Sequence, residues 1–163
     1  PLDSPALTGT PTAPTAPEGT NTTQIATTAF VLANSSSVSE ESIVIYLGAL
    51  DTSIEATTKA AIIPYLPYNL EVSELVLECD VAPTGSNIEV DINVDGTTFL
   101  VEKISIDATE TSSTTAATAY LINTITFPNS RIPKGSTVTV DIDQVGSTVA
   151  GQNLVLVING VRY

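Results

Sequence analysis

Eighteen carboxylates and no histidine bound the proton and metal chemistry of this chain. Without an imidazole the commonest general base and metal ligand is missing, and Ser/His/Asp and Cys/His nucleophile systems are excluded. Glycoside hydrolysis needs only two carboxylates. The acids Asp91, Asp95, Asp141 and Asp143, however, fall at outward positions of alternating segments, where a solvated sheet face is the ordinary explanation. Asp91, Asp141 and Asp143 are also the weak calcium candidates. Asp141 and Asp143 share one strand face, as do Asp91 and Asn93, and their hard oxygens converge if the strands are neighbours. No calcium-loop spacing is present, so no metal and no cofactor is expected. The absence of tryptophan and a count of three phenylalanines leave an aromatic-lined sugar cleft poorly supplied. Tyr65 and Tyr68, in PYLPYN, could stack on a sugar, but packing beside prolines accounts for them. Cys79 is the single cysteine; it allows no intrachain disulfide, and the alternation around it makes it an inert thiol on an apolar face. The expectation is a protein that is not an enzyme.

The elements that would position these groups are strands. From Ile43 the hydrophobic pattern has period two, predicting strands over 43–47, 60–65, 70–81, 88–95, 98–107, 118–127, 137–145 and 152–162. Residues 56–61 are ambiguous between strand and helical turn. In the third segment Leu75, Leu77, Cys79 and Val81 share one face. In the fourth, Ile88, Val90, Ile92 and Val94 face inward and Asp95-Gly96 is a strong hairpin signal. Residues 154–158 are apolar on both faces, which places them centrally or at an interface. About eight short strands argue for a mainly β, antiparallel, jelly-roll-like sandwich over residues 37–163.

The first 36 residues differ. Pro5, Pro11, Pro14 and Pro17 make residues 1–20 an extended Pro/Thr-rich arm. Asn21 with Gln24 reads as a capping box, and Ile25, Ala26, Ala29, Phe30, Leu32 and Ala33 give one apolar face, predicting a short helix over 21–36. So short and threonine-rich a helix is marginal alone. Packing on its own domain would cover it; so would association with copies of itself through Ile25, Ala29, Phe30 and Leu32.

The net charge is −13, from 18 acidic and 5 basic side chains, at 42% hydrophobic composition. That is the composition of a folded domain rather than a disordered chain. It repels phosphate backbones and disfavours anionic membrane surfaces, so no nucleic acid is expected as a partner. No run of 18 apolar residues exists, so no membrane insertion is expected.

Residues 2–31, LDSPALTGTPTAP followed by GTNTTQIATTAFV, resemble a motif of bacteriophage tail-fibre proteins, departing at Pro17-Glu18, where a small apolar pair is more usual. The phrases VAPTGSNIEVDINVDGTT and VTVDIDQVGSTVAGQNLVLVI resemble a β-rich module at the C-termini of phage fibre proteins. The resemblance implies a parallel homotrimer, a virion location with extracellular action, and a receptor-binding protein whose partners are a bacterial cell-surface glycan or protein. It also implies contact with other tail proteins through a preceding region, the chain reading as the C-terminal part of something longer.

If every predicted strand crosses the head once, loops alternate between its two ends. The far end, opposite the arm, then holds 48–58, 82–87, 108–115 and 146–151. Asp51, Glu55, Ser86, Asn87, Glu110, Thr111, Ser147 and Thr148 become the candidate receptor-binding residues, since small polar loops suit hydrogen bonding to glycans. Two alternatives stand beside attachment: a structural spacer or adaptor between virion proteins, and a polysaccharide depolymerase.

Overall fold

Asp95 and Gly96 take φ of 51° and 81°, the left-handed geometry that closes a two-residue hairpin. They join β4 (Ile88–Val94) to β5 (Thr97–Thr98), with Val94 opposite Thr97. In the computed structural model, which describes residues 8–10, 12–17, 19–20, 22–23, 25–34 and 39–163, the head is laid around this turn in nested antiparallel pairs. β3 (Leu70–Glu78) pairs with β9 (Arg131–Ile132), β2 (Thr57–Ile63) with β10 (Val138–Gln144), and β1 (Glu40–Leu47) with β11 (Leu154–Arg162). Successive pairs fall alternately into two sheets. Sheet one runs β1-β11-β3-β9, and sheet two runs β2-β10-β4-β5 with β7 (Ile104–Ile106) also on β4. A separate ladder joins β6 (Leu100–Glu102) to β8 (Leu121–Ile122). The head is thus mainly β and antiparallel, as the alternation predicts.

The inward rows of both sheets supply one core. β4 contributes Ile88, Val90, Ile92 and Val94; β10 contributes Val138, Val140 and Ile142; β11 contributes Leu154, Leu156 and Ile158. Each such side chain contributes about 1.5–3 kcal/mol by leaving water. Phe99, fully buried, meets Phe127 edge to face with ring centroids 5.1 Å apart.

Two irregularities correct the simple alternation. In β3, Leu70, Val72, Leu75 and Leu77 are all buried despite a change of parity. Asn159 pairs with Glu74 but Gly160 pairs with Val72, so Ser73 is the extra residue of a bulge and restores the inward row. Gly160 is required there: a Cβ would sit 2.9 Å from Leu70 Cδ1 and nearer still to the Glu71 carbonyl oxygen. The face shared by Leu75, Leu77 and Cys79 ends before Val81, which is 37% exposed. In β2, Lys59 bulges at φ 55°, its N–H held 2.6 Å from Asp141 Oδ1, and the register shifts between Val140 and Ile142. The ambiguous stretch 56–61 is therefore strand from Thr57 onward.

Two predicted strands are cut short. Residues 98–107 divide into three pieces because the Thr98 hydroxyl bonds Asp91 and the Leu100 carbonyl, turning the chain from β4 toward β8. Of 118–127 only Leu121–Ile122 is strand. Asn123 Oδ1 accepts the Thr126 N–H at 3.2 Å and its carbonyl accepts that of Phe127 at 2.8 Å, winding the rest into a turn.

The chain divides into two units, Pro1–Ser37 and Val38–Tyr163. In the first, the Thr20 hydroxyl bonds the Pro17 carbonyl at 2.6 Å, and the hydroxyls of Thr15 and Thr27 lie 2.9 Å apart. Its helix α1 spans Thr28–Asn34, shorter than the predicted 21–36. Thr27 Oγ1 accepts the Phe30 N–H at 3.1 Å and caps it. Threonines 22, 23 and 27 explain the late start: β-branched side chains disfavour helix, and a hydroxyl makes a good cap. Ile25 thus precedes the helix and is 78% exposed, Ala29 is exposed and Phe30 half-buried. Asn21, Gln24 and the Leu32 side chain lie outside the described residues.

Candidate functional site

The long strands β1–β4, β10 and β11 run antiparallel to their neighbours, so the turns that join them gather at two ends. At one end, here the root, the chain enters at Ser39 and leaves at Tyr163. The Arg162 N–H bonds the Ser39 carbonyl at 3.0 Å, and the Tyr163 N–H bonds that of Asn69 at 3.4 Å. The root also holds the Asp95-Gly96 turn and residues 64–69 and 133–137. Gly135 and Leu66, Leu66 and Ser136, and Asp95 and Thr137 join them by backbone hydrogen bonds of 2.8–2.9 Å.

The opposite end, the tip, is built from residues 48–56, 79–87, 107–120 and 145–153. The backbone ties them into one surface. Ile54 N–H bonds the Gly151 carbonyl at 3.0 Å, Thr148 N–H that of Thr84 at 2.9 Å, Thr109 N–H that of Pro83 at 2.7 Å, and Cys79 N–H that of Thr111 at 2.9 Å. Gly146 makes a close approach to the neighbouring backbone. A Cβ on it would lie 2.9 Å from both Pro83 Cβ and Thr84 N, so the two loops interlock only with glycine there.

Side chains complete the binding of loop to loop. Asn153, at φ 56°, accepts the Asp51 N–H at 2.7 Å and donates to Asp80 Oδ2 at 2.9 Å. Asn87 donates to Asp107 Oδ1 at 2.8 Å and accepts the Ala108 N–H at 2.9 Å, while Asp107 Oδ2 accepts the Ala117 N–H at 2.8 Å. Ser86 donates to the Val145 carbonyl at 2.9 Å, and Glu110 accepts the Thr115 hydroxyl at 2.5 Å.

All eight candidate residues lie on this end, but they fall into two groups. Glu55, Thr111, Ser147 and Thr148 are exposed. Ser86, Asn87 and Glu110 are half-buried and their polar atoms are engaged within the head. Asp51 is exposed yet anchored by Asn153 through its own N–H. Sequence reasoning missed Asp80, Asp107 and Asn153. Their signal is an Asx residue at a strand-to-loop boundary, where the short side chain can replace a ladder partner.

The calcium candidates lie elsewhere, on the outer side of sheet two. Asp141 stands directly opposite Asp91. Both Asp141 oxygens are occupied, by the Lys59 N–H and by Asn93 Nδ2 at 3.0 Å, and Asp143 pairs with Lys103 at 3.0 Å. Burial raises the Asp91 carboxyl above its usual range, opposed by bonds from the Thr98 hydroxyl and Ile92 N–H and reinforced by Asp143. Among the described residues no group of three or more metal-ligating side chains is gathered. The Cys79 thiol is buried and pushed up to about 11 by burial, then by Asp80 and Glu78. Tyr68 lies under the Arg162 guanidinium at 4.0 Å, at the root rather than the tip.

What the tip offers chemically is a stiff surface of hydroxyls, amides and carboxylates. Over 33 residues, 20% of this chain, the sequence is 79% identical to a "Probable tail fiber protein" of Escherichia phage P2. Those residues span 5% of that protein's length. No family model and no solved structure matches the chain. Through one fifth of its length, this chain is similar to a probable phage tail-fibre protein.

Proposed function

We propose that this chain is a tail-fibre module of a bacteriophage virion, acting outside the cell by attaching the particle to a bacterial surface without catalysis. The observation that carries this reading is the 79% identity to a probable tail fiber protein. In this reading the head is a jelly-roll sandwich, which the nested pairing of β1 with β11, β2 with β10 and β3 with β9 supports. Copies gather as a parallel homotrimer through residues 21–36, joined to other tail components. The tip loops contact the receptor, taken to be a glycan. A neutral sugar presents many hydroxyls, and Glu55, Thr111, Ser147 and Thr148 present exposed oxygens to match them. Three weak sites on one particle then gain avidity without new contacts.

The test is binding of the full chain to purified envelope of a susceptible host. Alanine at Glu55, Ser147 and Thr148 together is expected to lower binding tenfold or more while the head keeps its denaturation midpoint. Unchanged binding in that variant refutes the tip as the contact surface. The spacer reading has one observation of its own: Ser86, Asn87 and Glu110 spend their polar atoms holding loops together. Absence of binding by the unmodified chain to any host envelope would favour it, and release of reducing sugar would favour the depolymerase.

A further inference from the structure

The tip is furrowed where the chain turns from β1 into β2. Gly48 ends β1 at φ 99°, and Asp51 takes φ 58° with its N–H held by Asn153 Oδ1 at 2.7 Å. The loop is pinned again at Ile54, whose side chain is buried and whose N–H bonds the Gly151 carbonyl at 3.0 Å. On the other side β2 bulges at Lys59, so that Ala61 pairs with Val140 but Thr57 pairs with Ile142. Loop and bulge enclose a cleft of about 430 Å³, within the roughly 300–1,000 Å³ of small-ligand sites. Ile54, Ala60 and Ile142 give it an aliphatic floor. Thr52, Ser53, Glu55 and Thr57, all exposed, give it a polar rim.

We propose that this cleft holds one pyranose unit that bears no negative charge. The proposal rests on the attachment reading above and adds where the sugar sits and which sugars are refused. A pyranose carries C–H groups on the faces of its ring and hydroxyls around its edge, and the cleft sets an aliphatic floor beneath a rim of oxygens to match both. The Thr52 hydroxyl donates to the Ala49 carbonyl at 2.8 Å, which leaves its oxygen to accept from a sugar hydroxyl. The Glu55 carboxylate only accepts, and its bonds to sugar hydroxyls are charge-assisted. Both walls are already held by bonds within the head, so little ordering is left for the ligand to impose.

Charge decides which sugars enter. Residues 48–56, 79–87, 107–120 and 145–153 carry Asp51, Glu55, Asp80, Asp107 and Glu110 and no lysine or arginine. A phosphate or uronate approaching the tip is repelled with nothing to offset it. A second cleft at the tip, lined by Glu78, Asp80 and Asn153 among others, encloses about 250 Å³. It is more acidic and falls below the usual size of a ligand site, roughly 300 Å³.

The test applies the full chain to immobilised bacterial glycans, one set neutral or amine-bearing, the other containing uronate or phosphate. Binding is expected to the first set and not to the second. Ala49 is exposed on the cleft wall, and Ala49→Trp fills the space. Ser53→Ala with Thr57→Ala instead removes two rim hydroxyls without adding bulk. Each variant is expected to bind tenfold or more weakly while the head keeps its denaturation midpoint. Glycan binding that survives either variant overturns the cleft and leaves attachment through the rest of the tip standing. Binding of the unmodified chain to host envelope but to none of the glycans does the same. Preference for the uronate or phosphate set overturns the ligand class. No binding to glycan or envelope overturns the attachment reading and the cleft together.

Discussion

The two sheets bury matching rows of aliphatic side chains and differ at the centre of their outer sides, polar in sheet two and valine in sheet one. In sheet two the outward cross-strand pairs include Asp141 with Asp91 and Thr139 with Asn93; in sheet one they include Val157 with Val76 and with Val44, flanked by Val155 with Glu78 and Asn159 with Glu74. The fold requires only the inward rows, so the outward rows are free to report what each surface meets. Sheet two meets water. Its carboxylates find local partners, Asp141 in the Lys59 N–H and Asp143 in the Lys103 ammonium. Sheet one leaves Val44 and Tyr46 half or more exposed beside Val155 and Val157.

Adjacent residues of β11 sharpen that contrast most. Leu156→Ala removes a fully buried side chain and is expected to cost the head about 3 kcal/mol in urea unfolding, with a cavity left behind. Val157→Ala, one residue on, is expected to cost under about 1 kcal/mol in the same measurement on dissociated chains. Equal losses would mean that both sides of β11 lie inside one folded head, and the difference between the sheets would vanish. A smaller effect is expected at the tip. Asn153→Ala removes the acceptor of the Asp51 N–H and the donor to Asp80. It is expected to cost about 1–2 kcal/mol, read as faster amide exchange in residues 49–54. Unchanged exchange there would show that backbone bonds alone hold the loops.

The smallest expected effect is on sheet two. Burial raises Asp91 in the folded head, so the protonated form is favoured by folding. Its stabilising contribution is complete in acid, below the ordinary carboxylate range, and is lost as pH rises through the raised folded value. Asp91→Asn keeps acceptors for the Thr98 hydroxyl and the Ile92 N–H. It is therefore expected to stabilise the head at pH 7, by less than about 1 kcal/mol because the group is half-solvated, with the gain shrinking toward pH 3. A gain that grows in acid would reverse the assignment. On sheet one no corresponding pH dependence is expected from Val157.

The alternation of Ile88, Val90, Ile92 and Val94 and the Asp95-Gly96 turn were legible because both are local: a period of two and a pair of residues that accept positive φ. So was the gathering of 48–56, 79–87 and 145–153 at one end, because the long strands on either side of them were read correctly. What alternation could not show were the places where a side chain competes with the ladder. Ser73 is bulged so that Leu70 and Leu75 can both reach the core, Lys59 is held out of register by Asp141 from another strand, and Asn123 turns an apparently regular strand back on itself. Each depends on a partner or a parity that one segment does not display. The tip was legible as a place but not in its division of labour. Asn87 and Glu55 look alike in sequence, yet Asn87 binds Asp107 and Ala108 while Glu55 is exposed. For the helix, the Thr27 hydroxyl provides a later cap than the Asn21 pattern suggests.

Native mass by light scattering on a sizing column shows whether copies of this chain gather with their tips presented together. Three times the 16.9 kDa of one chain, persisting on dilution into the micromolar range, is expected. A mass of one chain at all concentrations would refute the gathering and leave attachment without avidity.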